Sequence, residues 1–297
     1  MISNDTIDKK VILGDVRTTA SLIPDDLIQS IITSPPYFGH RNYSGENANE
    51  EEIGRESKLE DYITNIVACF EAVKPKLKTN GLLWLNLGDT YRNKELLGVP
   101  WRVAFALKDN GWILRSDIIW KKPNAMPSSV KSRPTTEHEY IFLFSKSSEY
   151  YYDANSIREP HVTFTDKSRM KGGRSHLGRR NGTPENGKNS GNSNLHNGRW
   201  DQAFHPNGRN KRTVWEIPLG KFRDVHFAVY PELLVEICLL ASTKIGDFVF
   251  DPFVGSGTTG VVALRNGRRF IGCELVESYQ QMAQGRINEI VFQPSLF

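Results

Sequence analysis

The chain has 297 residues, 38% of them apolar and 10% aromatic, with a net charge of +4, enough for one large α/β domain or two smaller ones around an ordinary core. No apolar run reaches the ~18 residues of a membrane-spanning helix, and the opening MISNDTIDKKVILGD is too polar for a secretory signal. Cys69, Cys238 and Cys273 stand far apart inside apolar stretches, a spacing that excludes a disulfide framework or a cysteine metal site and points to a reducing cytoplasm.

In chain order, VILGD (11–15) reads as a first strand and SIITS (30–34) as a second. Apolar residues at Leu59, Tyr62, Ile63, Ile66, Val67, Phe70, Val73 and Leu77 follow helical spacing, with Asn80-Gly81 as the stop. GLLWLNLGDTY (81–91) predicts a third strand and loop, and a helix follows from Pro100 to Lys108. WILRSDIIWKKP (112–123) and HEYIFLFSKS (138–147) predict two antiparallel strands at a sheet edge. After a loop-rich stretch, order returns at Thr213-Val214-Trp215, and Pro231 opens a helix. DFVFDPFVGSGTTG (247–260) is strand, glycine turn and helix start; RFIGCEL (269–275) is another strand, and a last helix runs from Glu277 to Ile290. Strands alternating with helices predict an α/β fold: a doubly wound, mostly parallel sheet with helices on both faces and an inserted loop-rich basic region.

That inserted region concentrates the charge. Residues 166–212 hold eleven Lys or Arg against three acids, a local balance of +8 that leaves −4 for the remainder. Eight Gly and eight Asn with almost no aliphatics predict little burial there. The charge fits either a polyanion partner or a solvated loop.

The turn Gly255-Ser256-Gly257-Thr258-Thr259-Gly260 follows a strand, and Glu274 lies 19 residues beyond Gly255. This matches a dinucleotide fingerprint, in which glycines permit the tight turn and the acid binds ribose hydroxyls. An NAD-dependent oxidoreductase and a plain strand-to-helix turn both remain open on that motif alone. Asp251-Pro252 directly before the turn argues against a pyrophosphate. A carboxylate aimed there suits an adenosine with a cationic tail, as in S-adenosylmethionine.

QSIITSPPYFGH (29–40) ends its strand in two prolines. Ser34 offers a hydroxyl and Pro35 a carbonyl with no N–H, so the corner presents two acceptors; Pro36 fixes φ, and Tyr37 adds an aromatic face. Such a corner suits a planar ring carrying an amino group, such as a nucleobase flipped from its stack. Stacking worth about 1–3 kcal/mol is comparable with the cost of extrusion. A turn with a packed Tyr is the simpler alternative.

Together the two motifs resemble the amino-group DNA methyltransferases of the β class, in which the catalytic motif precedes the cofactor motif. Thr33-Ser34-Pro35-Pro36-Tyr37 is similar to the catalytic motif, and Asp251-Pro252-Phe253-Val254-Gly255-Ser256-Gly257-Thr258 to the cofactor loop. Gly14-Asp15, His226 to Pro231, Asn86-Leu87-Gly88-Asp89, Trp120 to Asn124 and Glu139 to Phe142 resemble further blocks. The resemblance implies a Rossmann-like methyltransferase fold in permuted motif order. It implies S-adenosylmethionine as cofactor, with Asp15 at its adenine, Glu274 at its ribose, and Asp251, Pro252, Phe253, Gly255, Gly257 and Thr258 around it. It implies Ser34, Pro35, Pro36 and Tyr37 as catalytic residues and no metal. Three parts follow: a catalytic half (1–149), a target-recognition region (150–225) and a cofactor-binding half (226–297).

Ser34 at the first motif position is typical of the family's cytosine-N4 enzymes, Asp or Asn of its adenine-N6 enzymes. The resemblance therefore implies methylation of cytosine N4, with adenine N6 as the alternative, in double-stranded DNA within a restriction-modification system, by a cytoplasmic monomer or homodimer. A cognate endonuclease would be a functional partner, and no membrane is involved. Lys171, Arg174, Arg179, Arg180, Arg199, Arg209, Lys211 and Arg212 are then the candidate DNA contacts, to phosphates or guanine edges. Asp89 reads as a capping residue or a minor catalytic helper.

Overall fold

The computed structural model describes residues 7–39, 52–160, 207–220 and 230–290. Two compact units divide the chain, Met1–Asp153 with Arg212–Phe297, and Ala154–Lys211.

In the first unit the strands are β1 (Lys10–Leu13), β2 (Ile28–Thr33), β3 (Leu77–Leu87), a small hairpin of β4 (Tyr91–Arg92) and β5 (Glu95–Leu96), β6 (Ile113–Lys121), β7 (His138–Ser145), β8 (Val214–Glu216), β9 (Phe248–Asp251) and β10 (Arg269–Glu274). Eight of them form one sheet in the order β1-β10-β9-β2-β3-β7-β6-β8. Only β7 runs against its neighbours. The helices are α1 (Val16–Thr19), α2 (Leu59–Val73), α3 (Val99–Asp109), α4 (Glu232–Ser242), α5 (Thr258–Arg265) and α6 (Glu277–Asn288). The expected α/β fold is present: a doubly wound, mostly parallel sheet.

Every residue of β2 is buried, as a central parallel strand covered on both faces requires. Toward one face Ile31, Leu83, Leu85, Phe142 and Phe250 join Tyr62, Ile66, Phe70 and Val73 of α2 and Val103 and Leu107 of α3 in one core. Toward the other, Ser30 Oγ lies 2.8 Å from Ser242 Oγ at the end of α4, and Trp84 Nε1 donates to that hydroxyl at 3.1 Å.

Two boundaries differ from the sequence expectation. α2 stops at Val73, and Leu77 already belongs to β3, so Asn80-Gly81 lies inside that strand. Pro75 ends the helix through a 3-10 turn over Lys74–Lys76, because it has no N–H to continue the ladder. The antiparallel pair β6 and β7 is not the sheet edge. Val214–Glu216 pairs with Ile119–Lys121 and covers it.

Among the described residues of the second unit, Glu159 and Arg209 exchange backbone hydrogen bonds of 3.0 and 2.8 Å. The Glu159 carboxylate also pairs with Arg209 at 3.1 Å and with Lys211 at 3.3 Å.

Candidate active site

From β9 the chain winds outward to β10, and from β2 it winds the other way to β3, so the order reverses between β9 and β2. Ligands of open parallel sheets bind outside the carboxyl ends of the strands at such a switch point. The Ser34-Pro35-Pro36-Tyr37 corner leaves β2 there, and the glycine turn leaves β9 beside it. A cavity of about 470 Å³ opens between them, lined by all four corner residues and by Asp15, Pro252, Phe253, Gly255, Thr258 and Glu274. Ten sequence-predicted site residues, far apart in the chain, therefore meet at one opening.

On the glycine side, Gly255 and Gly257 take left-handed φ of 53° and 86°. A Cβ at Gly255 would meet nothing within 4 Å, so a bare glycine there leaves room for a ligand and fills no packing need. Gly257 packs its α-carbon toward Ala283 and acts as the N-cap of α5, behind the cavity lining. The Glu274 carboxylate accepts from Gly255 N at 2.8 Å and Val276 N at 2.9 Å. Burial pushes its carboxyl up to about 7, with these amides pulling it down. The carboxylate keeps lone-pair capacity for a further donor. Asp15 is the N-cap of α1, accepting from Arg17 N at 2.7 Å while the Arg17 guanidinium grips its second oxygen. Bare glycine backbone, a carboxylate able to take hydroxyl donors and an apolar Pro252-Phe253 wall fit an adenosine-bearing cofactor.

Asp251, expected to face a cationic group at the turn, is instead enclosed. It is 0% exposed and does not line the cavity. Its oxygens accept from Thr33 Oγ1 at 2.6 Å, Thr259 Oγ1 at 2.7 Å, Phe253 N at 3.0 Å and Tyr230 Oη at 3.3 Å. Desolvation raises its carboxyl, and those hydrogen bonds oppose the rise. Asp251 thus ties β2, which carries the proline corner, to β9, which carries the glycine turn.

At the corner, Pro36 O accepts from Tyr62 Oη at 2.9 Å, which pins the proline turn to α2. The Tyr37 ring lies against Gly88, where a Cβ would come within 2.7 Å of Cε2. The Tyr37 hydroxyl donates to Glu139 Oε2 at 2.7 Å. Asn86 Nδ2 lies 2.8 Å from Tyr37 Oη, 2.9 Å from Glu139 Oε2 and 3.2 Å from Ser34 Oγ. Ser34 Oγ is 3.2 Å from Tyr37 Oη, and Lys122 Nζ forms an ion pair with Glu139 Oε1. Burial first and the Glu139 charge second hold the Tyr37 phenol well above its ordinary value, so it stays neutral.

Asn86, Lys122 and Glu139 are site residues to which sequence reading assigned no role. Asn86 is the polar residue in the apolar run GLLWLNL, and Glu139 the acid opening HEYIFLF, which is the signal that marks them. Asp89 is a cap: Oδ1 accepts from Val99 N at 2.9 Å, the first residue of α3. Burial pushes the Cys69 and Cys273 thiols up to about 12, so neither is a thiolate nucleophile. Of the basic candidates, Arg209 and Lys211 pair with Glu159, and Arg212 is exposed. Lys171, Arg174, Arg179, Arg180 and Arg199 lie outside the described residues.

A proline corner and a glycine turn that meet at the switch point of a doubly wound, mostly parallel sheet are the framework of the Rossmann-like methyltransferases. The chain belongs to the N6/N4 DNA methylase family, whose model matches residues 28–285. Type II methyltransferase M.SmaI of Serratia marcescens is 38% identical, over 94% of this chain and 90% of its own length. Type II methyltransferase M.Cfr9I of Citrobacter freundii is 37% identical, over 92% and 86%. Among solved structures, a putative DNA modification methylase of Thermus thermophilus complexed with S-adenosyl-L-methionine has a TM-score of 0.59 at 25% identity, covering 94% of this chain and 92% of that one. PvuII DNA methyltransferase (cytosine-N4-specific) shares the fold, with a TM-score of 0.67 at 20% identity over 96% and 90%. The oxidoreductase reading of the glycine turn falls with the family assignment.

Proposed function

We propose that the protein methylates the exocyclic N4 amino group of cytosine in double-stranded DNA, as the modification enzyme of a restriction-modification system. The observation that supports this reading is the shared cavity, which Ser34 and Pro35 line together with Gly255 of the glycine turn and Glu274. Bound there, S-adenosylmethionine supplies an electrophilic methyl on a sulfonium.

The protein's own residues do the rest. An exocyclic amino lone pair is delocalised into its ring and attacks poorly. Ser34 Oγ and the Pro35 carbonyl accept its two hydrogens, favour a tetrahedral nitrogen and turn the lone pair toward the methyl. As the N–CH3 bond forms the S–CH3 bond breaks, S-adenosylhomocysteine leaves, and one amino proton passes through Ser34 Oγ or directly to water. Tyr37 stacks on the extruded base. Catalysis is then orientation and preorganised polarity, with no covalent enzyme intermediate. The basic segment supplies phosphate contacts that position the duplex. Ser34 at the head of the motif supports cytosine over adenine.

Incubation of DNA with the enzyme and cofactor, followed by digestion and nucleoside mass spectrometry, tests the reading. N4-methylcytosine is the expected product; N6-methyladenine without it would overturn the choice of base.

A further inference from the structure

We infer that Glu139 is a positioning residue that sets the hydrogen-bond polarity of the catalytic corner, so that Ser34 presents a lone pair, and not a proton, to the target base. The inference rests on the methyl-transfer reading above and deepens it.

Glu139 is a carboxylate and accepts only, and Lys122 holds its other oxygen. Tyr37 Oη, 2.7 Å away, must therefore donate to it. With its proton committed, the Tyr37 oxygen is left as an acceptor, facing Asn86 Nδ2 at 2.8 Å and Ser34 Oγ at 3.2 Å. The Ser34 hydroxyl proton then points inward to Tyr37, and an oxygen lone pair remains toward the cavity.

Glu139 also fixes Asn86. A flipped amide would set Asn86 Oδ1 against the carboxylate, so Nδ2 faces the cluster and Oδ1 is left buried with no hydrogen-bond partner among the described residues. Leaving a buried acceptor unpaired is costly, which argues that the orientation serves the corner and not Asn86 itself.

The isosteric Glu139→Gln removes the acceptor-only constraint. Its amide can donate to Tyr37, the phenol can turn toward Ser34, and the Ser34 proton can turn toward the base. The test compares wild type and Glu139→Gln, each with S-adenosylhomocysteine, on duplexes carrying cytosine or uracil at the mapped target position. Uracil replaces the amino donor with a keto acceptor, and any effect of the mismatch on extrusion is common to both proteins. The expected result is a shift in the cytosine-to-uracil affinity ratio of about tenfold toward uracil. With it, kcat should fall about 10- to 100-fold while KM for the cofactor stays within about twofold, the range for preorganised polar groups.

An unchanged ratio overturns the inference, even if kcat falls, because a purely structural role would lower activity without changing base polarity. If Glu139→Gln no longer binds S-adenosylhomocysteine, Tyr37→Phe decides. It keeps the ring, removes the inward acceptor of Ser34, and must give the same shift. Wild type that transfers no methyl to cytosine would instead fail the functional reading; adenine and hypoxanthine at the mapped target then form the same amino-versus-keto pair.

Discussion

Ser34 and Glu274 show how far single residues depend on what surrounds them. Ser34→Ala removes one of two acceptors while leaving the glycine side intact. Turnover should fall about 100-fold or more, the scale for losing one preorganised polar group. S-adenosylhomocysteine affinity measured by calorimetry should stay near wild type. Equal loss of both would make Ser34 structural. Glu274 yields a pH dependence. Its ordinary carboxyl value is 4.5, and burial raises it to about 7. Between these values the folded protein keeps a proton that the unfolded chain releases. The stability from this group is therefore full below about 4.5 and lost as pH rises through about 7. Ribose hydroxyls favour the ionised form, so S-adenosylhomocysteine should bind about threefold to tenfold tighter at pH 8 than at pH 6. Glu274→Gln should flatten that profile in titrations across the same range.

At the scale of elements, the joint between β2 and β9 matters most. Thr33 Oγ1 donates to the buried Asp251, which locks the strand carrying the proline corner to the strand carrying the glycine turn at their carboxyl ends, and Thr259 Oγ1 of α5 donates to the same carboxylate. Thr33→Val keeps the shape and removes one charge-assisted bond. It should lower stability by about 1.5–3 kcal/mol in denaturant melts, and no change would mean that the other donors compensate. The strands and helices were mostly legible from periodicity, because buried parallel strands and amphipathic helices leave different repeats. Two boundaries were not. Leu77 fits both the stripe of α2 and the start of β3, and only Pro75 breaks the tie. Val214–Glu216 is too short to announce itself as a strand without β6 to pair with.

At the scale of the whole molecule, the excess of +8 over residues 166–212 predicts a salt-dependent hold on DNA. Arg179→Ala with Arg180→Ala should weaken affinity and reduce the slope of log K against log salt by about 1–2. An unchanged slope would remove both from the interface.

The two motifs and their order were readable from the sequence alone, because two prolines after an apolar strand and a glycine turn with a distant acid are local chemical patterns. Proximity was not readable. Residues 34 and 251 become neighbours only when β2 and β9 pair. That pairing turned Asp251 from an expected ligand group into a buried tie. The sheet also gathered Asn86, Lys122 and Glu139 around the Ser34 and Tyr37 hydroxyls. Residue types and local turns follow from the chain itself. Which donors meet which acceptors depends on strand order, and strand order is settled by long-range packing.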